Sequence, residues 1–142
     1  MGELEQRLVA HIATHGPIGF DEFQANALYA SGLGFYQRGG GAGRRRDFLT
    51  SPEVGPLFGA VVARALDTWW DDLGRPERLH LVDAGAGPGG LTRSILAASP
   101  RCSEALRCTL VEVGEGQWAT HPAGTTSRPD LPGPRELDGP VV

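Results

Sequence analysis

Apolar residues along the chain fall into a few well-separated patterns. Leu4, Leu8, Val9 and Ile12 recur at helical spacing and predict an amphipathic helix stopped by Gly16 and Pro17. Phe20, Phe23, Ala27 and Leu28 predict a second, ending at Ser31 and Gly32. Residues 32–46 are rich in glycine and arginine and are expected to form a mobile loop. A helix start follows, with Ser51 as N-cap, Pro52 at the first helical position and the acid Glu53 in the first turn. The strongest helical pattern in the chain comes next: Leu57, Phe58, Val61, Val62, Ala65, Leu66, Trp69, Trp70 and Leu73, closed by Gly74. Its broad apolar face requires packing partners, and that register assigns Trp69 and Trp70 to packing rather than to stacking on a base. Leu79, Leu81 and Val82 predict a buried strand, Leu91, Ile95 and Ala98 one helical face, and residues 107–113 a second strand.

Between the first of these strands and its helix lies Asp83-Ala84-Gly85-Ala86-Gly87-Pro88-Gly89-Gly90. Glycines permit a sharp turn and a close approach of backbone to ligand. The strand-loop-helix order lifts such a motif above chance. Gly85, Gly87 and Gly90 fit the dinucleotide spacing G-x-G-x-x-G, whereas Asp83 with Gly85, Gly87 and Gly89 fits the acidic-x-G-x-G-x-G spacing of sites for S-adenosylmethionine (SAM). Spacing does not separate the two. Charge favours SAM, which has no phosphate and carries a cationic sulfonium and ammonium, because Asp83 would repel a pyrophosphate. Pro88 also removes one N–H from a turn that a phosphate would need. Glu112 lies 23 residues after Gly89, about the separation expected for a carboxylate that accepts hydrogen bonds from ribose hydroxyls. It supports an adenosine ligand of either kind.

Composition narrows the picture further. A chain of 142 residues can bury one core but is short for a complete methyltransferase. A net charge of −4 and the absence of a basic stripe argue against nucleic acid, and no apolar run approaches a membrane span. All 13 basic residues are arginines, so a lysine-bearing phosphate loop and Schiff-base chemistry are excluded. Cys102 and Cys108 make neither a zinc site nor a disulfide framework, and His11 with His15 lacks a third ligand, so no metal is expected. Acids near the N-terminus where a signal peptide needs bases, together with the few cysteines, predict a cytoplasmic location.

The segment GPIGFDEFQANALY, the GFY at residues 34–36, DFLTSPEVGPLFG at residues 47–59 and LVDAGAGPGGL at residues 81–91 together resemble the MidA-like SAM-dependent methyltransferases, the family that includes the mitochondrial complex I assembly arginine methyltransferase. The resemblance covers residues 1 to about 113. It implies an α/β, Rossmann-like fold with an N-terminal helical extension, SAM as cofactor, Asp83, Gly85, Gly87 and Gly89 around the methionine moiety, and Glu112 at the ribose. Asp47 and Glu53 are the candidate catalytic carboxylates, suited to hold an arginine guanidinium. Their competing roles are an ion pair with Arg44, Arg45 or Arg46 and a favourable charge at a helix N-terminus. Arg46 departs from the family, which usually has glycine there.

After Val113 the resemblance stops. Residues 114–142 hold five glycines and five prolines with no period, and are expected to be irregular or disordered, as a frameshifted or truncated frame would give. The expected organisation is therefore a helical lid region over 1–75, the start of a Rossmann-like SAM-binding domain over 76–113, truncated after the second strand, and the tail over 114–142. The expected partners are an arginine-bearing protein substrate and either a second copy or a missing C-terminal half, with no nucleic acid and no membrane. The chain alone is expected to be inactive, and its unpaired strand edge aggregation-prone. The alternatives are a dinucleotide-binding oxidoreductase fragment and a non-catalytic interaction module.

Overall fold

A computed structural model of the chain describes residues 1–41, 50–133 and 135–142. These fall into two compact units, Met1–Gly41 and Ala42–Val142. Among the described residues no helix is long and apolar enough to cross a membrane.

The first unit holds the two predicted helices, α1 (Glu3–His15) and α2 (Phe20–Tyr29). Gly2 N–H donates to Glu5 Oε2 at 3.1 Å, which satisfies one donor at the start of α1. Part of the loop expected to be mobile instead folds back on α2. Phe35 and Tyr36 donate their N–H groups to the carbonyls of Ala27 and Leu28, and the rings of Tyr29 and Tyr36 stack at 5.4 Å. This return is possible because position 34 is glycine: a Cβ there would lie 2.6 Å from the backbone of Ala30. The rest of that loop, residues 42–46, lies outside the described residues.

The second unit begins with α3 (Ser51–Val54) and α4 (Pro56–Asp72), where the apolar pattern predicted one helix. Pro56 explains the break, since a residue before proline is pushed out of the helical region and Gly55 is extended. Thr50 rather than Ser51 occupies the N-cap, without a side-chain cap bond. Gly74, with φ +78°, ends α4 in the left-handed turn that glycine favours, and Arg75 N–H closes it on Trp70 O at 2.8 Å.

Strand β1 (Leu79–Ala84), helix α5 (Gly90–Ala97) and strand β2 (Leu106–Val111) follow, with the two strands parallel and Asp83 opposite Leu110. A third strand, β3 (Thr126–Arg128), pairs parallel to β2, so the sheet order is β1-β2-β3. On the free side of β1, Val141 forms a bridge with His80, and N–H groups of His80 and Val82 donate to Pro140 and Val142. Residues 114–142 therefore do not behave as the expected irregular tail. They supply a strand, a 3-10 turn (Glu115–Thr120) and cover for both sheet edges. Short strands of three residues carry too little periodicity to be read locally, and the ladder beside them is what orders them.

Leu66, Leu79, Ile95 and Leu110 are wholly buried at the centre of the core, with Ala63, Leu81, Cys102, Leu106 and Cys108 around them. Helices α4 and α5 touch at Gly59, where a Cβ would lie 2.3 Å from Ser94 Cβ. The Trp70 indole reaches the core and donates to Pro76 O, as its register predicted. Trp69 does not; it stays half exposed on the outer face of α4 with Phe58 and Val61.

Candidate functional site

The parallel pair β1-β2 places two carboxylates at one end of the sheet. Asp83 is the penultimate residue of β1, and Glu112 is the first residue past β2, not within it as the pattern 107–113 suggested. Between them runs the glycine loop. Gly85, Gly87 and Gly89 all have positive φ (+75°, +53° and +77°), which reserves these positions for glycine. A Cβ at Gly85 would meet nothing within 4 Å, so open space lies beside it, whereas at Gly87 it would come into van der Waals contact with Gln117 Oε1 at 3.8 Å. Gly89 is different: a Cβ there would press on Pro122, Leu110 and His121 at 3.0–3.3 Å, so its smallness serves packing.

Each carboxylate is held. Asp83 Oδ2 accepts from Thr92 Oγ1 at 2.7 Å, and Thr92 is fully buried on α5. Glu112, also buried, accepts from Gly87 N–H at 3.0 Å through Oε2 and from Gly114 N–H at 2.7 Å through Oε1. Ionised carboxylates bonded to backbone N–H groups form the stronger class of hydrogen bond. The Glu112 main chain is fixed too, by its N–H to Arg128 O and by the Trp118 indole on its carbonyl.

The loop's own donors are consumed internally. Gly85 and Ala86 both donate to Val111 O, Gly87 to Glu112 Oε2, and Gly89 to Ala86 O. Pro88 has no N–H. Against Gly90, the first residue of α5, lies the Glu53 carboxylate, so close that a Cβ there would be 2.6 Å from Oε1. Glu53 thus stands at the start of α5, where a negative charge suits the helix dipole. The second candidate carboxylate, Asp47, lies outside the described residues, as do Arg44, Arg45 and Arg46.

Five residues of this region escaped the sequence reading. Thr92 carries a weak signal, being a polar residue on an otherwise apolar helical face. Gln117, Trp118, Thr120 and His121 carry none, because they sit in the stretch without a period. His121 joins the loop to β3, with Nε2 2.9 Å from Gly87 O and Nδ1 2.7 Å from Ser127 Oγ. Arg93 and Thr120 both donate to Pro88 O. The two histidines His11 and His15 stack at 4.5 Å in the first unit, and no group of three metal-ligating side chains occurs among the described residues.

No family model matches the chain. Individual proteins do. A fruit-fly protein arginine methyltransferase NDUFAF7 homolog, mitochondrial, is 37% identical over 95 residues, which is 67% of this chain and 22% of that protein. The human protein arginine methyltransferase NDUFAF7, mitochondrial, is 28% identical over 141 residues, 96% of this chain and 32% of that protein. Among solved structures, a COG1565 superfamily member and likely methyl transferase from Burkholderia thailandensis, bound to S-adenosyl-homocysteine, superimposes with a TM-score of 0.74 at 31% identity, over 91% of this chain and 37% of that one. The chain spans about a fifth to a third of the length of the curated relatives it matches. The human alignment also runs through the residues after Val113, so the similarity does not stop where the motifs do.

The cytoplasmic expectation is corrected here, because the fly, zebrafish and human relatives all carry mitochondrial names. Cysteine usage reports redox conditions, and these do not separate one reducing compartment from another. Motifs, sheet and alignments agree: over the part that it spans, the chain is similar to the proteins named NDUFAF7 arginine methyltransferases and to a COG1565 superfamily protein.

Proposed function

We propose that the second unit forms the SAM-binding part of a Rossmann-like methyltransferase whose acceptor is arginine in a protein. The state of the glycine loop carries this reading. Of its six positions 85–90, four N–H groups are bound within the protein, one is proline, and the sixth has a carboxylate against it. A pyrophosphate needs free N–H donors at a helix N-terminus and is repelled by a carboxylate there. SAM has no phosphate to neutralise: its ribose is uncharged, and its methionine end carries two positive charges against one carboxylate. The dinucleotide alternative therefore has no support in the loop, whereas the open space beside Gly85, flanked by Asp83 and Glu112, suits SAM.

The relatives' names supply the reaction and substrate class, and the solved relative's bound S-adenosyl-homocysteine (SAH) supplies the ligand class. When bound, SAM brings a methyl group on a positively charged sulfur that leaves readily. The chain's residues would bind, orient and exclude water. Asp83, braced by Thr92, would take a charge-assisted bond from the ligand's ammonium group, and Glu112 would accept from its ribose. Gly85 and Gly87 would line the cradle, and Gly89, packed against Pro122, Leu110 and His121, would hold its turn. Glu53, with Asp47, is the candidate for fixing a guanidinium in line with the methyl, a positioning effect that carries much of the rate in such displacements.

Equilibrium titration with SAH and, separately, NAD tests the reading. Saturable heat with SAH and none with NAD is expected. NAD binding without SAH binding would overturn it. Transfer of label from SAM to an arginine-rich protein, in an extract challenged with the chain and with a longer form, tests the acceptor.

A further inference from the structure

Gln117 presents an anomaly at the glycine loop. It lies in the 3-10 turn Glu115–Thr120, and its Oε1 is a buried side-chain polar atom without a hydrogen-bond partner. Buried acceptors are nearly always satisfied, so an orphan one calls for a partner. Its place is informative: it lies 3.8 Å from where a Cβ of Gly87 would point. Gly87 is thereby enclosed on three sides. Glu112 Oε2 holds its N–H, His121 Nε2 lies on its carbonyl, and Gln117 Oε1 packs against the side where a side chain would stand.

Two side-chain acceptors, Glu112 Oε2 and Gln117 Oε1, thus gather at one glycine. A vicinal diol presents two neighbouring O–H donors, one for each acceptor. We propose that Gln117 is a further ligand-contacting residue, its side-chain oxygen accepting a hydrogen bond from a ribose hydroxyl beside the one that Glu112 takes. This rests on the reading of the loop as an adenosine site. The turn that carries Gln117 is well placed for the task, because Gln117 N–H donates to Gly114 O, Thr120 Oγ1 donates to Gln117 O, and Trp118 is tied to the Glu112 carbonyl. Glutamine and glutamate are therefore held in one rigid segment, and the backbone that positions one positions the other.

The test uses the parent, Gln117→Leu and Gln117→Glu, with SAH and its 2′- and 3′-deoxy analogues as probes, reading affinity by titration and ligand-free stability by thermal melting. Leucine keeps the volume and removes the acceptor; glutamate keeps the acceptor. A neutral hydrogen bond corresponds to about 3- to 10-fold in affinity. Gln117→Leu should weaken SAH by that factor, melt no lower than the parent without ligand, and lose discrimination against one deoxy analogue, while Gln117→Glu retains it. The loss of discrimination is a coupling between ligand and side chain that a structural role does not produce. SAH binding by Gln117→Leu at the parent's affinity would overturn the proposal and leave the site reading intact, as would a lowered melting point with discrimination unchanged. Failure of the parent itself to bind SAH would overturn the site reading and this proposal with it.

Discussion

Glu112 illustrates how much one side chain can hold. It is buried, takes two backbone N–H groups and stands where a ribose is expected. Glu112→Ala should weaken SAH binding by about 1–3 kcal/mol, measured by titration, and should also lower the melting point because Gly87 and Gly114 lose their acceptor. Gly87→Val should weaken binding further, since it drives a branched side chain against Gln117 and forces it to positive φ. Unchanged affinity in both would remove the site assignment. The cysteines make a different prediction. Burial pushes the thiols of Cys102 and Cys108 up to about 11, so both are protonated at neutral pH and poor nucleophiles. Native protein should resist alkylation at pH 7.5 and react at both cysteines in denaturant, as read by mass spectrometry.

Helix against helix, the close contact of α4 with α5 depends on Gly59. Alanine there gains about 1 kcal/mol of helix propensity but meets Ser94 Cβ at 2.3 Å, an overpacking that costs about 1–3 kcal/mol. Gly59→Ala should therefore be net destabilising, and Gly59→Leu more so. Gly55→Ala is the control: its backbone is extended, a Cβ would meet nothing within 4 Å, and its melting curve should match the parent's. The same helix shows what periodicity leaves open. Its pattern marks apolar residues all round, and only the fold tells that Ala63 and Leu66 face the core while Leu57, Val61 and Trp69 face outward.

Across the whole molecule, the last residues of the chain depend on His80. This side chain is buried, its ring lies 3.3 Å from Asp138, and its backbone pairs with residues 140–142. Burial, followed by the nearby guanidiniums of Arg78 and Arg107, lowers its pKa from the ordinary 6.5. Asp138 does not reverse this, because it is mostly exposed and already paired with Arg78. With the folded pKa depressed, the unfolded chain binds the proton more readily. The contribution of neutral His80 to stability is full above pH 6.5 and is lost as pH falls from there through the folded value. Melting temperature should drop over that window in the parent, and His80→Gln should flatten the dependence. An unchanged slope would show that another group sets it.

Read without a fold, the residues already place four of the main helices and two strands, because helical and strand periods are local and Gly16, Gly32 and Gly74 mark their ends. They also single out the glycine loop, Asp83 and Glu112, since chemistry that needs positive φ and a carboxylate at the end of a strand leaves a trace in residue type. What they could not settle is long-range. Pairing of β3 and of residues 140–142 is decided by the open edges of a sheet already formed, and proline- and glycine-rich segments show no period by which to foresee it. The state of the loop's N–H groups, which separates a sulfonium ligand from a phosphate, is likewise invisible in spacing. It depends on where Val111 O and Glu112 arrive when β2 docks beside β1, and on Glu53 coming to lie at the start of α5. Gln117 and His121 reach the site only because the chain after β2 turns back over that loop, a return that tertiary packing alone decides.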